Sequence, residues 1–235
     1  MQIPNKLKTP LESGAILRVI IGILVIGSVW GLVEATLGGA LHLIHFTYKG
    51  AITGGVGIAL MATFVAIYRR PRLVFCIGVI AALVKPLSAL IYGQPVFSPF
   101  VVNPGSAILL EGLAFTLVVS LLFKRFQSSI KTRIGAGIVA GYLSIILYAI
   151  LASAAGMGKW ASWGFVESLN STLTDGTALA IAGTCLLLLG HLVGTKLRPN
   201  FWQFMTVKPK AFYASTIAIT AFCWIGAAVA FASGL

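Results

Sequence analysis

Three ionisable side chains stand inside runs that otherwise suit lipid: Glu34 in GLVEATLGGALHLIH (31–45), Lys85 in AALVKPLSALIY (81–92) and Glu111 in NPGSAILLEG (103–112). A charge at bilayer depth costs roughly 2.5–3.5 kcal/mol on insertion scales, so each needs a partner or a role. Two carboxylates and one ammonium can hold a solute that offers a cationic or donor group and a carboxylate. They can also pair among themselves as a knot that only fixes helix packing. Buried pairs seldom repay their desolvation, and two carboxylates for one ammonium leave a charge over, which favours a ligand site. At about 100° per residue, Glu34, Gly38, His42 and His45 share one stripe, and Lys85, Ser88 and Tyr92 another. Asn103 and Glu111 share a face with Ala107 between them, while Ser106 lies beside Asn103 and points away from Glu111. The hydroxyl of Ser106 is as readily satisfied within its own helical turn. His42 and His45 at a helix end suit a ligand, a metal among them, or the lipid head groups.

The elements that must position these residues follow from composition. The chain is 58% hydrophobic and 9% charged, against roughly 25% charged residues in soluble domains. Apolar runs able to cross a hydrocarbon core of about 30 Å as helices lie near 16–41, 51–68, 73–92, 103–123, 134–156, 176–195 and 213–234. An all-α integral membrane protein is expected, a polytopic bundle of six to seven transmembrane helices forming a single domain over 1–235. The polar first fourteen residues and the long apolar run after them do not read as a cleaved signal peptide. Fourteen of the 17 Lys and Arg fall on alternate connections, which leaves Lys49 and Lys159 for the other side and Lys85 within a span. This asymmetry implies a cytoplasmic N-terminus, an external C-terminus and residence in the cell (plasma or inner) membrane. The net charge of +12 is then a topology signal with some affinity for anionic membrane lipids, and nucleic acid is excluded as a partner. Counted from the outer helix ends at about 1.5 Å per residue, Glu34, Lys85 and Glu111 all lie about 10–12 Å deep. They share one layer, in the outer half.

Local chemistry refines the picture. Pro86 cannot donate to the Ala82 carbonyl, so the third helix is expected to kink beside Lys85. Asn103 and Pro104 read as the cap and first residue of the fourth helix. The preceding GQPVFSPFVV (93–102) reads as a stiff apolar lid, and the Trp- and Phe-bearing stretches 157–175 and 196–212 as interfacial segments. His191 is expected at the cytoplasmic interface. Cys76, Cys185 and Cys223 form no CxxC pair and read as buried small hydrophobes. There is no GxSxG, HExxH or complete P-loop, so neither catalysis, nor a resident cofactor, nor a metal is indicated. Gly27, Gly31, Ala35 and Gly39 recur every four residues, a small-residue ladder that admits another helix closely, within the bundle or from a partner subunit.

A helical bundle of this size with such a ladder on its first helix, basic cytoplasmic connections, an outward pocket and a loop leading into NPGSAILLEG resembles the substrate-binding S components of energy-coupling-factor vitamin transporters and the S-component-like membrane proteins. The similarity covers roughly residues 15–195. It implies a non-enzymatic subunit that captures a vitamin-like solute or metal from outside and docks on a transmembrane coupling subunit driven by two ATPases. That family usually has six helices, and its nickel and cobalt members carry a histidine at position two, where Gln2 stands here. The reading from another class is a non-catalytic membrane subunit or anchor of a larger redox complex, with the same residues around a quinone or in a packing knot.

Overall fold

The structure is a computed structural model that describes residues 10–157, 160 and 162–234; Gln2, Lys6, Lys8 and Lys159 lie outside the described residues. Helices α1 (Pro10–Leu43), α2 (Lys49–Tyr68), α3 (Phe75–Ala82), α4 (Lys85–Tyr92), α5 (Pro99–Ser128), α6 (Ile130–Ala154), α7 (Phe165–Val207) and α8 (Pro209–Ala232) follow in order, with a 3-10 turn at Pro71–Leu73. Among the described residues no strand forms. With Pro71–Tyr92 taken as one span, seven stretches are long and apolar enough to cross a membrane, matching the seven apolar runs of the sequence.

Helix α2 is the centre of the bundle. Of its most apolar stretch 67% is buried, against 22–39% in the other spans. Small residues let its neighbours close in: a β-carbon at Gly190 of α7 would stand 2.1 Å from the Ala59 carbonyl oxygen of α2. The Thr63 hydroxyl lies 2.9 Å from the carbonyl oxygens of both Ala59 and Gly190, so one hydroxyl joins the two helices. Trp30, fully buried, fills the space left by Gly57. Gly78 and Gly112 let α3 and α5 meet with a glycine Cα only 3.3 Å from where either β-carbon would be. The ladder on α1 is used within the chain. Gly27 abuts Ile80, Gly31 abuts Val84, and Ala35 packs with Val84, Ala227 and Phe231.

The third span breaks where Pro86 requires it. Helix α3 ends at Ala82, α4 begins at Lys85, and the N–H groups of Val84 and Leu87 each donate to carbonyls three residues back at 3.2 Å. Helix α5 starts one turn earlier than Asn103 and Pro104 suggest. Ser98 is extended, Pro99 takes the first helical position, and Pro104 falls inside the helix, because an Xaa-Pro start was already available upstream. Of the segment 93–102, Phe97 is 89% exposed and residues 94–98 do not line the cavity described below, while Phe100 does.

Helix α7 runs for 43 residues, about 65 Å. The stretches expected along the interfaces are thus helical from 165 and as far as 207. The aromatic side chains explain this at one end. Phe201 and Trp202 set their rings 5.6 and 6.0 Å from Tyr68, and Phe204 lies 6.2 Å from Phe212, so they pack on α2 and α8. His191 is buried in the bundle, 5.5 Å from Phe126. Cys76 and Cys185 are exposed and Cys223 alone is buried.

Candidate functional site

A cavity of about 680 Å³ opens where the C-terminal end of α1, the N-terminal ends of α2 and α5, and parts of α4, α6, α7 and α8 converge. Glu34, Lys85 and Glu111 all line it. Lys85 Nζ stands 3.6 Å from Glu34 Oε2, with the two side chains 12% and 11% exposed. This is the one ion pair among the described residues. The break before Lys85 sets its place, since the residue opens α4 directly after the disrupted turn.

Glu111 is held differently. Its carboxylate presses on the backbone of α2 at Gly54, where a β-carbon would stand 2.5 Å from Oε1, so any larger residue at 54 would push it aside. The side chain is buried, and among the described residues Oε2 has no hydrogen-bond partner. Asn103 lines the same cavity, and its Oδ1 is also buried without a partner. Unpaired acceptors at low dielectric are costly, and a donor group entering the cavity would relieve that cost.

Ser88 lines the cavity, its hydroxyl donating to the Lys85 carbonyl at 2.7 Å. His42 lines it too, its Nδ1 accepting from the Lys49 ammonium. Gly39 and Ala35 form part of the α1 wall. His45, Tyr92 and Ser106 are not on the wall. The stripe through His45 fails because α1 ends at Leu43 and His45 turns into a left-handed conformation at φ 53°. Tyr92 donates its hydroxyl to the Phe231 carbonyl and so ties α4 to α8. Ser106 faces away, as its angle from Glu111 requires.

Other lining residues were not picked out from the sequence. Asp175 was taken as the end of an interfacial stretch, but α7 begins ten residues earlier and places it on the wall, where Ser171 donates to it at 3.0 Å. The run ESLNSTLTD is too polar to read as a span, and its helix is legible only once a polar cavity is known beside it. Lys49 carried a signal, as one of two basic residues left on that side. Tyr148 and Trp160, 6.3 Å apart, add an aromatic wall, with Trp160 buried. The cavity thus gathers three carboxylates, Glu34, Glu111 and Asp175, two ammonium groups, Lys49 and Lys85, and several aromatic rings. Among the described residues no three His, Cys, Asp or Glu side chains form a metal set.

Fold and cavity together define an all-helical bundle with seven membrane-length apolar helices and a charged chamber at one end. No family model matches the chain, and no curated protein or solved structure matches it either. The functional reading therefore rests on its own residues.

Proposed function

We propose that this protein is a membrane-embedded binding subunit that captures a small solute, with a cationic or hydrogen-bond-donating group on an apolar, ring-bearing body, for a transporter energised by separate ATPase subunits. Glu111 carries the reading. A buried carboxylate oxygen and the Asn103 oxygen, both without hydrogen-bond partners among the described residues, line one cavity whose size falls within the range of about 300–1,000 Å³ usual for small-molecule sites. A packing knot would have paired Glu111, and among the described residues only Glu34 and Lys85 form an ion pair. In the proposed complex Glu111 and Asn103 accept from the solute's donors and Lys85 is positioned by Glu34 to meet a carboxylate. Tyr148 and Trp160 face the apolar body, where a cation also gains from the ring faces. The alternate basic connections support a cytoplasmic N-terminus in the cell membrane, so the cavity opens to the outside. The resemblance of the sequence to S components, drawn from the small-residue ladder on the first helix and the loop leading into NPGSAILLEG, is what supports a coupling subunit and ATPases as partners.

The test is thermal melting of the full chain in mild detergent against a panel of ring-bearing amines and their neutral isosteres. The reading expects some amines to raise Tm in the parent and to lose that effect in Glu111→Gln. Equal responses in the parent and in Glu111→Gln would overturn it.

A further inference from the structure

A second, smaller cavity of about 220 Å³ lies at the opposite end of the bundle, between the last turn of α2, the end of α5, the start of α6 and the middle of α7. Arg69, Arg133 and Arg198 converge on it with His191, Thr195 and Gln127, and no carboxylate is among its lining residues. Since the only ion pair among the described residues is Lys85 with Glu34, none of these guanidinium groups has an acidic partner there. Three like charges around one small volume repel one another until an anion enters.

The cavity is built from fixed parts. Arg133 donates through Nε to the Phe126 carbonyl at 3.1 Å and through Nη1 to His191 Nδ1 at 3.2 Å, which leaves three of its N–H groups to spare. His191 is only 5% exposed. Because its Nδ1 accepts from Arg133, its proton sits on Nε2, and among the described residues Nε2 is buried with no partner. Thr195 is held in turn by donating to the His191 carbonyl at 2.8 Å. Arg69 caps α2 in a left-handed conformation at φ 55°.

We infer that this cavity binds a phosphate group. Guanidinium forks match a tetrahedral oxyanion in pairs, the buried His191 lines the same space, and the volume admits a phosphate with little attached to it. The shared chemistry is a phosphate oxyanion, free in solution or on an anionic lipid headgroup. This goes beyond the solute site and does not depend on it, because the two cavities share no lining residue.

Thermal melting of the full chain tests it, in phosphatidylcholine nanodiscs with inorganic phosphate added, and in nanodiscs containing phosphatidic acid. Parent protein should be stabilised in at least one arm. Stabilisation by inorganic phosphate assigns a free anion, and stabilisation by phosphatidic acid alone assigns the headgroup. Arg198→Gln should raise the half-effective concentration at least tenfold, and Arg198→Lys, which keeps the charge without the fork and guards against a folding artefact, should fall between the two. Arg72→Gln, a basic residue of the same end outside the cavity, should respond like the parent. No stabilisation of the parent in either arm, or an equal loss in Arg72→Gln and Arg198→Gln, would overturn the inference.

Discussion

Exchanging Lys85 for methionine leaves Glu34 on the cavity wall without its ammonium, while exchanging Glu111 for glutamine replaces a buried carboxyl whose Oε2 has no hydrogen-bond partner among the described residues. These two changes should have opposite effects. At the observed 3.6 Å the Coulomb attraction of unit charges is about 1 kcal/mol in bulk water and about 5 kcal/mol at an effective dielectric of 20. The pair is 11–12% exposed beside a cavity, and desolvation cancels part of the attraction, so the net loss for Lys85→Met is set at about 1–3 kcal/mol. At about 2–4 °C per kcal/mol for a chain of this length, Tm falls by roughly 2–12 °C. Adding Glu34→Gln to Lys85→Met should recover at least half of that, because neutral replacement of a whole buried pair is well tolerated. Glu111→Gln keeps the shape and replaces a buried carboxyl whose Oε2 has no hydrogen-bond partner among the described residues, so its Tm should equal or exceed the parent's. The assay is intrinsic Trp fluorescence melting in detergent of the solute-free parent, the two single variants and the double variant. A Glu111→Gln protein destabilised as much as Lys85→Met would refute the reasoning, since Glu111 would then be a structural partner.

Gly54→Ala should cost about 1–3 kcal/mol by overpacking and weaken binding of any solute that Glu111→Gln also loses, because the new β-carbon would meet Oε1 at 2.5 Å; melting and binding on one sample check both. Gly190→Ala should be worse, about 3 kcal/mol or more, because the obstacle at 2.1 Å is backbone and cannot rotate away. Gly135→Ala, with nothing within 4 Å, should gain about 0.5–1 kcal/mol from helix propensity, and the same melts rank all three. In a background with Cys76, Cys185 and Cys223 replaced by Ala, a cysteine at Gly93 should react with an impermeant thiol reagent on intact cells and one at Gln127 should not; the reverse pattern would invert the topology.

The seven spans and the break beside Lys85 were legible because hydrophobic length and a missing N–H act locally. The convergence of Glu34, Lys85 and Glu111 was legible from depth alone, since antiparallel helices of similar length bring equal depths together. What failed was whatever needed a neighbour to be known. His45 lay on the right stripe of a helix that had already ended, and Asn103 lost its capping position to Ser98 and Pro99 one turn upstream. Asp175 sits in a polar run that no hydropathy window marks as a helix, and its place on the cavity wall follows only from α7 starting at Phe165. The ring contacts of Trp160 and Trp202 were not legible, because their partners Tyr148 and Tyr68 come from distant parts of the chain. The burial of His191 was not legible either, because it depends on Phe126 and Arg133 across the bundle.

The most direct measurement is mass-spectrometric analysis of the small molecules extracted from gently solubilised parent protein, from Glu111→Gln and from Gly135→Ala, at equal protein amounts. A ring-bearing compound with a basic or donor nitrogen should be recovered in near-stoichiometric amount from the parent and from Gly135→Ala and be depleted at least tenfold from Glu111→Gln. Equal recovery from Glu111→Gln, or no such compound from a parent that is folded, would contradict the proposed solute site.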